Sequence, residues 1–448
     1  MQYKLLVLSA LCFVSISFAQ EKKTKFSLQE AIDYALQNNY NAKTAANNIE
    51  AAKQKKWETT TIGLPQVSAK VDYQNWLKQQ VSLLPGEITG GAPGTYVPVT
   101  FGTKQNINAA ITLNQLIFDG SYLVGLQSAK TYLKISELAN EKTALSIREA
   151  VINAYGNVLV ADKSIEIFKK NMLVLEKNLE DAKKIFQNGF NEEEDVEQLQ
   201  ITYSTVKSQL DKTKRLRDIG LKMLNISMGN NLESPLSLTD TLEEVMNANI
   251  DLNLLSKTFN IEEHIDYKIA ENDKTSKALL VKLEKSKALP SLTAFVNYGY
   301  TGNAEDFSFF NSSQEWYNSS LLGVSLNIPI FSSFQRRSRT QQATIELDNA
   351  DLKLDQIKEE LNLGVASAKS DYTFSVENYG TAKKNLELAQ RIEKKQQIKF
   401  FEGVGSSFDL SQAQNQLYTQ QQNYIQSMLD VIAKKAALEN ALNIPIKK

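Results

Sequence analysis

The chain has 448 residues, with 50 Lys and Arg against 51 Asp and Glu, so its formal net charge of −1 offers no basic excess of the kind nucleic-acid binding requires. Its one cysteine, Cys12, lies near the N-terminus, which leaves the rest of the chain without disulfides or thiol chemistry. A length that would allow about three domains of roughly 150 residues is occupied instead by one long motif written twice.

Lys4 follows Met1, an apolar run extends from Leu5 to Phe18, and Ser17-Phe18-Ala19 has the small-x-small form of a cleavage site. Residues 1–19 therefore read as a signal peptide, with the mature chain beginning at Gln20. Leu11 is a poor residue ahead of a lipoprotein cysteine, which argues against a lipid anchor at Cys12. After Ala19 no stretch approaches 18 uncharged apolar residues, so no helix is expected to span a bilayer.

Ser27-Leu28-Gln29-Glu30 is a capping box that opens a short helix ending near Asn38-Asn39, and a second helix follows from about Tyr40 to Ile62. Leu64-Pro65 then breaks the helix and opens a strand in which Val67, Ala69, Val71 and Tyr73 alternate with polar residues. The return strand alternates as cleanly at Ile107, Ala109, Ile111 and Leu113. Between them, residues 77–105 read as a loop rich in glycine and proline on an exposed rim. From Ser121 to Asn188 there is no proline, so a helix of about 100 Å is allowed at 1.5 Å per residue. A turn from Gly189 to Glu194 leads into a further helix that ends near Met228. Ile147, Val151, Ala154, Val158, Ala161, Ile165 and Phe168 follow the three-four spacing of a left-handed coiled coil.

The same order then returns. Gly63 to Tyr73 recurs as Ala288 to Tyr298 at an offset of 225, Leu113 to Phe118 as Leu326 to Phe331 at 213, and Phe186 to Gly189 as Phe400 to Gly403 at 214. Repeat one covers about 26–230 and repeat two about 255–445, joined by a linker at about 229–254. The offset falls by 12 between the two strands, so the first copy carries the longer hairpin loop. A repeat this long is a duplicated half-domain. In the second copy Leu292, Ala294, Val296 and Tyr298 face one way, answered by Leu322, Val324, Leu326 and Ile328.

Four strands of about ten residues, each with one apolar and one polar face, match the length and period of membrane barrel strands. A soluble sandwich would bury such faces against each other, but four strands framed by helices dozens of residues long do not build one. Trp76, Phe307, Phe309, Phe310, Trp316 and Tyr317 near the strand ends have the placement of an interfacial aromatic girdle. Four strands also leave open edges, which lipid does not tolerate, so closure demands further copies.

The paired strand openings Leu64-Pro65…Tyr73 and Leu289-Pro290…Tyr298 carry a resemblance. So do the corners Leu116-Ile117-Phe118-Asp119-Gly120 and Pro329-Ile330-Phe331-Ser332-Ser333, and the helical turns Gly189…Asp195 and Gly403…Asp409-Leu410-Ser411-Gln412. With these motifs in order, twice over, residues 26–445 resemble the TolC-like family of bacterial outer membrane efflux proteins. The resemblance implies an α+β membrane protein of the outer membrane of a Gram-negative bacterium, extending into the periplasm. Each protomer of a homotrimer would give four strands to one transmembrane β-barrel, continued by coiled-coil hairpins forming a periplasmic α-barrel. The implied partners are a periplasmic adaptor and an inner membrane pump, and the implied function is a passive exit duct for tripartite efflux or type I secretion. The rival reading is a periplasmic coiled-coil adaptor without a pore, which the duplicated amphipathic hairpins argue against.

The resemblance places the pore tip at the two helical turns, around Gly189, Gly403 and Gly405. Asp195 and Asp409 stand at the family's acidic tip positions, and threefold symmetry would make each a ring that favours cations. Carboxylates about 10 Å apart in water repel by only about 0.4 kcal/mol, so a ring tunes permeation more than stability. Here the chain departs from the family pattern: Phe400 replaces a tyrosine, Gly405 an arginine, and Gln412 a second acid. A tip closed by apolar packing of Phe400, Phe401 and Phe408 is therefore expected, with Glu192 to Asp195 outside it. The alternative is that these acids form only a solvated helix start favoured by the macrodipole. His264 reads as a solvated turn residue. No nucleophile-base pair, metal cluster or phosphate loop stands out, so neither an enzyme nor a cofactor is expected.

Overall fold

The protein is described by a computed structural model covering residues 24–189 and 192–444; the expected signal peptide lies outside the described residues. The chain divides into two compact units, each assembled from both copies of the repeat. One comprises residues up to Ala46, Ala139–Tyr267 and the chain from Lys358 on, and the other Asn47–Leu138 and Lys268–Ile357.

In chain order, β1 (Lys25–Phe26) precedes α1 (Leu28–Asn38), whose capping box is formed as expected: Ser27 N donates to Glu30 Oε2 at 2.9 Å. The first copy continues through α2 (Tyr40–Thr61), β2 (Gln66–Asn75), β3 (Val81–Pro85), β4 (Tyr96–Thr100), β5 (Gln105–Asp119), α3 (Gly120–Gln187) and α4 (Glu193–Met228). After β6 (Ser237–Leu238) and α5 (Leu242–Ala248), the second copy gives α6 (Ile265–Ser286), β7 (Ser291–Ala304), β8 (Trp316–Asn327), α7 (Gln335–Phe401) and α8 (Ser407–Ala441). The four strands and four long helices stand where periodicity and the proline breaks put them.

Two segments are more ordered than their composition suggested. Residues 77–105 fold into an antiparallel ribbon, with Val81 opposite Thr100 and Pro85 opposite Tyr96. The expected linker is not a plain connector: β6 pairs in parallel with β1, and α5 has its own capping box from Thr241 and Glu244. Leu242, Val245 and Met246 of α5 are buried in the core of the helical unit with Phe26, Tyr155, Tyr372, Met428 and Ile432. The Thr-x-x-Glu signature was present in the sequence, but seven helical residues are too few for periodicity to reveal. Asp240 ties this layer down, accepting from Leu28 N at 2.7 Å and from the buried Tyr155 hydroxyl at 3.0 Å.

His264 also differs from expectation. It is only 4 % exposed, and its Nδ1 accepts from Asp266 N at 3.1 Å, so the ring acts as a cap for the start of α6. Burial against Phe259 keeps it out of solvent.

In the other unit the four strands form one antiparallel sheet of order β2-β5-β7-β8. Its register aligns the apolar positions: Val67 opposite Leu113, Leu113 opposite Val296, and Val296 opposite Leu322. The apolar stripes of single strands thereby merge into a continuous face. Val67, Val71, Ile111, Val296, Leu322, Val324 and Leu326 on that face are all exposed. No second layer covers it among the described residues, which removes the sandwich alternative. Both outer strands, β2 and β8, present unpaired edges.

Candidate functional site

The turns between α3 and α4 and between α7 and α8 lie in the helical unit. Each contains a glycine in the left-handed region, Gly189 with φ +77° and Gly403 with φ +74°, so both copies reverse direction by the same device. Gly405 is closely packed for another reason: a Cβ there would stand 3.0 Å from Lys399 Cβ, so a larger residue requires that neighbour to shift.

The structure separates the three candidate phenylalanines. Phe400 is 6 % exposed and packs with Leu179, Ala182, Leu199 and Leu410, while Phe401 flanks this cluster with its ring edge-on to Phe400 at 5.2 Å. Phe408 is 66 % exposed, on the first turn of α8. Phe400 and Phe401 thus hold one protomer's two hairpins together; Phe408 is turned outward.

The acids separate too. Asp409 N donates to Ser406 Oγ at 3.1 Å, and Ser406 Oγ donates to Asp409 Oδ2 at 2.8 Å, which caps α8 and leaves the aspartate on the surface. Asp195 is half-buried, and its Oδ1 accepts from Ser407 N at 3.3 Å. A carboxylate from the first hairpin therefore sits at the N-terminus of the second hairpin's return helix, where orphan N–H groups and the macrodipole favour it. Glu193, Glu194 and Asp195 also occupy the first turn of their own helix, and Gln412 is exposed.

Behind the tip lies a polar layer that the sequence reading missed. Thr202 Oγ1 and Ser411 Oγ are 3.0 Å apart and buried, Gln198 Nε2 donates to Ser411 Oγ at 3.2 Å, and Gln397 Nε2 donates to Asn178 Oδ1 at 3.0 Å. Gln414 is buried beside Glu393, and its Oε1 has no hydrogen-bond partner in the protein. Burial raises the proton affinity of the Glu393 carboxyl, the nearby Gln414 opposing the shift. It also raises that of the Tyr418 hydroxyl, with the Glu393 charge adding to it. Thr202, Ser411 and Gln414 stand at seam positions where the three-four spacing calls for apolar side chains, and that mismatch was the available signal. A groove of ≈ 720 Å³ borders the layer, lined among others by Val174, Asn178, Glu393, Phe401 and Leu417.

In the sheet unit, Trp76, Trp316 and Tyr317 are exposed at the strand ends. Phe309 is not: it packs on Tyr73, Phe307 and Trp316, leaving Phe307 and Phe310 exposed. Among the described residues no helix is long and apolar enough to cross a membrane, and no group of three or more His, Cys, Asp or Glu could hold a metal ion.

Comparison with known proteins fits this geometry. The profile of the outer membrane efflux protein family matches residues 31–230 and 276–443. The outer membrane protein TolC of Vibrio cholerae is 22 % identical over 345 residues, 75 % of this chain and 76 % of that protein. The alkaline protease secretion protein AprF of Pseudomonas aeruginosa is 20 % identical over 343 residues, 74 % of this chain and 68 % of that protein. The solved structure of CusC, a protein that forms a transmembrane channel, superposes with a TM-score of 0.74 at 14 % identity over 93 % of this chain and 92 % of that one.

Proposed function

The chain belongs to the outer membrane efflux protein family, and we propose that it is the outer membrane exit duct of a tripartite efflux or type I secretion system. It is a passive channel that carries substrate across the periplasm and outer membrane, and it is not an enzyme. The observation that carries the reading is the four-stranded sheet with a largely exposed apolar face and two open edges. Such a sheet is stable only where lipid covers the face and further strands satisfy the edges.

Three copies would close a barrel of about twelve strands, within the range of known membrane barrels. Two helices support oligomerisation independently. On α7, Ala350, Leu354, Val365 and Tyr372 are buried, while Ile345, Leu352, Leu363, Phe374, Leu388 and Ile392 are exposed on the opposite face at helical spacing. On α4, Leu199, Val206, Leu210 and Leu224 are buried, and Ile201, Ile219, Met223 and Ile226 are exposed opposite them. A helix apolar on two faces calls for two partners. Neighbouring protomers supply the second, and a periplasmic adaptor linked to an inner membrane pump docks at the helical tips.

At the closed tip, Phe408 and Val404 meet their symmetry copies and Asp409 forms the acidic ring, while Phe400, Phe401 and Asp195 brace each protomer from within. The purified protein should migrate in gels as a heat-modifiable oligomer three times the protomer mass and conduct ions in planar bilayers. Recovery as a soluble periplasmic monomer without conductance would overturn the reading.

A further inference from the structure

The β3–β4 ribbon is present in the first copy only, and the duct reading leaves it unused. Beyond the last rung of the β2–β5 ladder, Asn75 opposite Gln105, Trp76 N donates to Lys104 O at 2.9 Å and pairing resumes at Val81 opposite Thr100. The tip is ordered: Gly86 N donates to Thr95 O and Gly91 N to Gly86 O, both at 2.7 Å, and Gly94 N donates to Glu87 Oε1 at 3.1 Å. The register puts Val81, Leu83 and Tyr96 on one face, where they are 51 %, 63 % and 64 % exposed. Leu77, Ile88 and Phe101 at the ribbon's ends are exposed as well. An uncovered apolar face of this kind marks a contact surface.

We propose that the three ribbons of the assembled trimer meet over the outer mouth of the barrel through their Val81, Leu83 and Tyr96 faces and form an apolar cap. The proposal rests on the trimeric duct reading. Charge selects the occupant. Between Lys78 and Lys104 the only charged residue is Glu87. Around a symmetry axis every side chain meets its own copy, so a charged face would repel itself while an uncharged apolar face associates. Anionic lipid headgroups would instead call for basic residues, and the ribbon has none between its end lysines. Reach allows the contact. A barrel of about twelve strands spaced about 4.8 Å apart and tilted about 40° has a radius of about 12 Å, whereas the ten residue steps from Asn75 to Pro85 span up to about 33 Å. The ribbon is therefore long enough to extend from the barrel wall to the axis. Position in the sheet agrees, because the ribbon extends β2, the edge strand that must pair with the next protomer.

The test is cysteine cross-linking of the full chain in outer membranes, for which the wild type, with Cys12 as its sole cysteine, is the blank. After mild oxidation, Leu83→Cys and Tyr96→Cys should give covalently linked protomers on heated non-reducing gels. Ser82→Cys, on the opposite face of the ribbon, should give several-fold less. In a Phe408→Ala background, where the tip no longer limits the current, replacing Val81–Thr100 by a short Gly-Ser turn should raise single-channel conductance several-fold. Absence of cross-linking at both positions in trimers that remain intact on unheated gels would overturn the cap and leave the duct reading standing. Unchanged conductance on deleting the ribbon in that tip-opened background would overturn it as well. Failure of the wild-type chain to form trimers would remove both.

Discussion

Phe400 and Phe408 lie eight residues apart at one helical turn, yet they should respond to truncation in opposite ways. Phe400 packs in a cluster with Leu179, Ala182, Leu199 and Leu410 and is 6 % exposed. Returning about 170 Å² of ring surface to water at about 25 cal/mol per Å² costs about 4 kcal/mol, within the roughly 3–5 kcal/mol range of buried Phe→Ala changes. The cluster is terminal, so the loss falls on local opening of the tip more than on global unfolding. At about 1.4 kcal/mol per tenfold, Phe400→Ala should raise the opening constant by at least about a hundredfold. Phe408, 66 % exposed, has only about a third of its ring surface to lose within the protomer, about 1.4 kcal/mol. Hydrogen exchange of the amides around Leu179–Ala182 and Phe400–Leu410, measured with single-channel conductance of the trimer, separates the two. Phe400→Ala should strip protection from the tip, while Phe408→Ala should keep protection and raise conductance. Unchanged protection in Phe400→Ala, or unchanged conductance in both variants, would refute the assignment of roles.

Ser333 and Phe334 have φ of +47° and +64°. Left-handed backbone at a non-glycine residue costs roughly 1–2 kcal/mol, so Ser333→Gly should raise the thermal midpoint of the trimer; a lowered midpoint would show that the serine has another role. Glu393 has its pKa raised by burial, so its contribution to stability is complete below the unfolded value of 4.5 and is lost as pH rises through the elevated folded value. Exchange protection around residues 390–414, corrected for the intrinsic exchange rate, should therefore fall as pH rises above 4.5, and Glu393→Gln should remove that slope. Val71 lies on the exposed apolar face of β2 and Ser68 on the other. A lipid-facing lysine costs about 2–4 kcal/mol near mid-membrane, so Val71→Lys should reduce the trimer band on unheated gels while Ser68→Lys leaves it intact.

Much of the fold was legible because its periods are long. A two-residue alternation over ten positions, or 60 residues without proline, survives local ambiguity, so the bounds of α7 could be read from the sequence alone. The duplication helped further, since each uncertain boundary had a second copy to check it. Short elements were lost for the opposite reason. Seven residues of α5 and five-residue ribbon strands amid glycine and proline carry too few repeats to stand out, although Thr241 and Glu244 announced the helix cap. Within the tip, sequence placed the turns and the acids but not their partners. That Asp195 caps the opposite hairpin, or that Phe400 turns inward and Phe408 outward, depends on the rotation of each helix about its axis. A shift of one residue changes that rotation by about 100°.

The distribution of polar groups in the helical bundle bears on how the tip proposed above would open. Leu179, Ala182, Leu199, Phe400 and Leu410 form one apolar cluster, and Phe168, Leu175, Val206 and Leu210 another. Asn178 and Thr202 lie between the two clusters in sequence, Ser411 and Gln414 follow Leu410 along the same helix, and Glu393 stands seven residues before Phe400. The Nδ2 of Asn178 and the Oε1 of Gln414 find no protein partner, and each such buried group costs about 1–3 kcal/mol unless water reaches it. Opening that admits water to this layer regains those hydrogen bonds and offsets part of the cost of separating the helices. A continuous apolar seam would give no such return, and its rupture would grow more costly with every turn. The tip cluster is thus coupled weakly to the bundle behind it, which is why truncating Phe400 should release the tip without unfolding the helices that carry it.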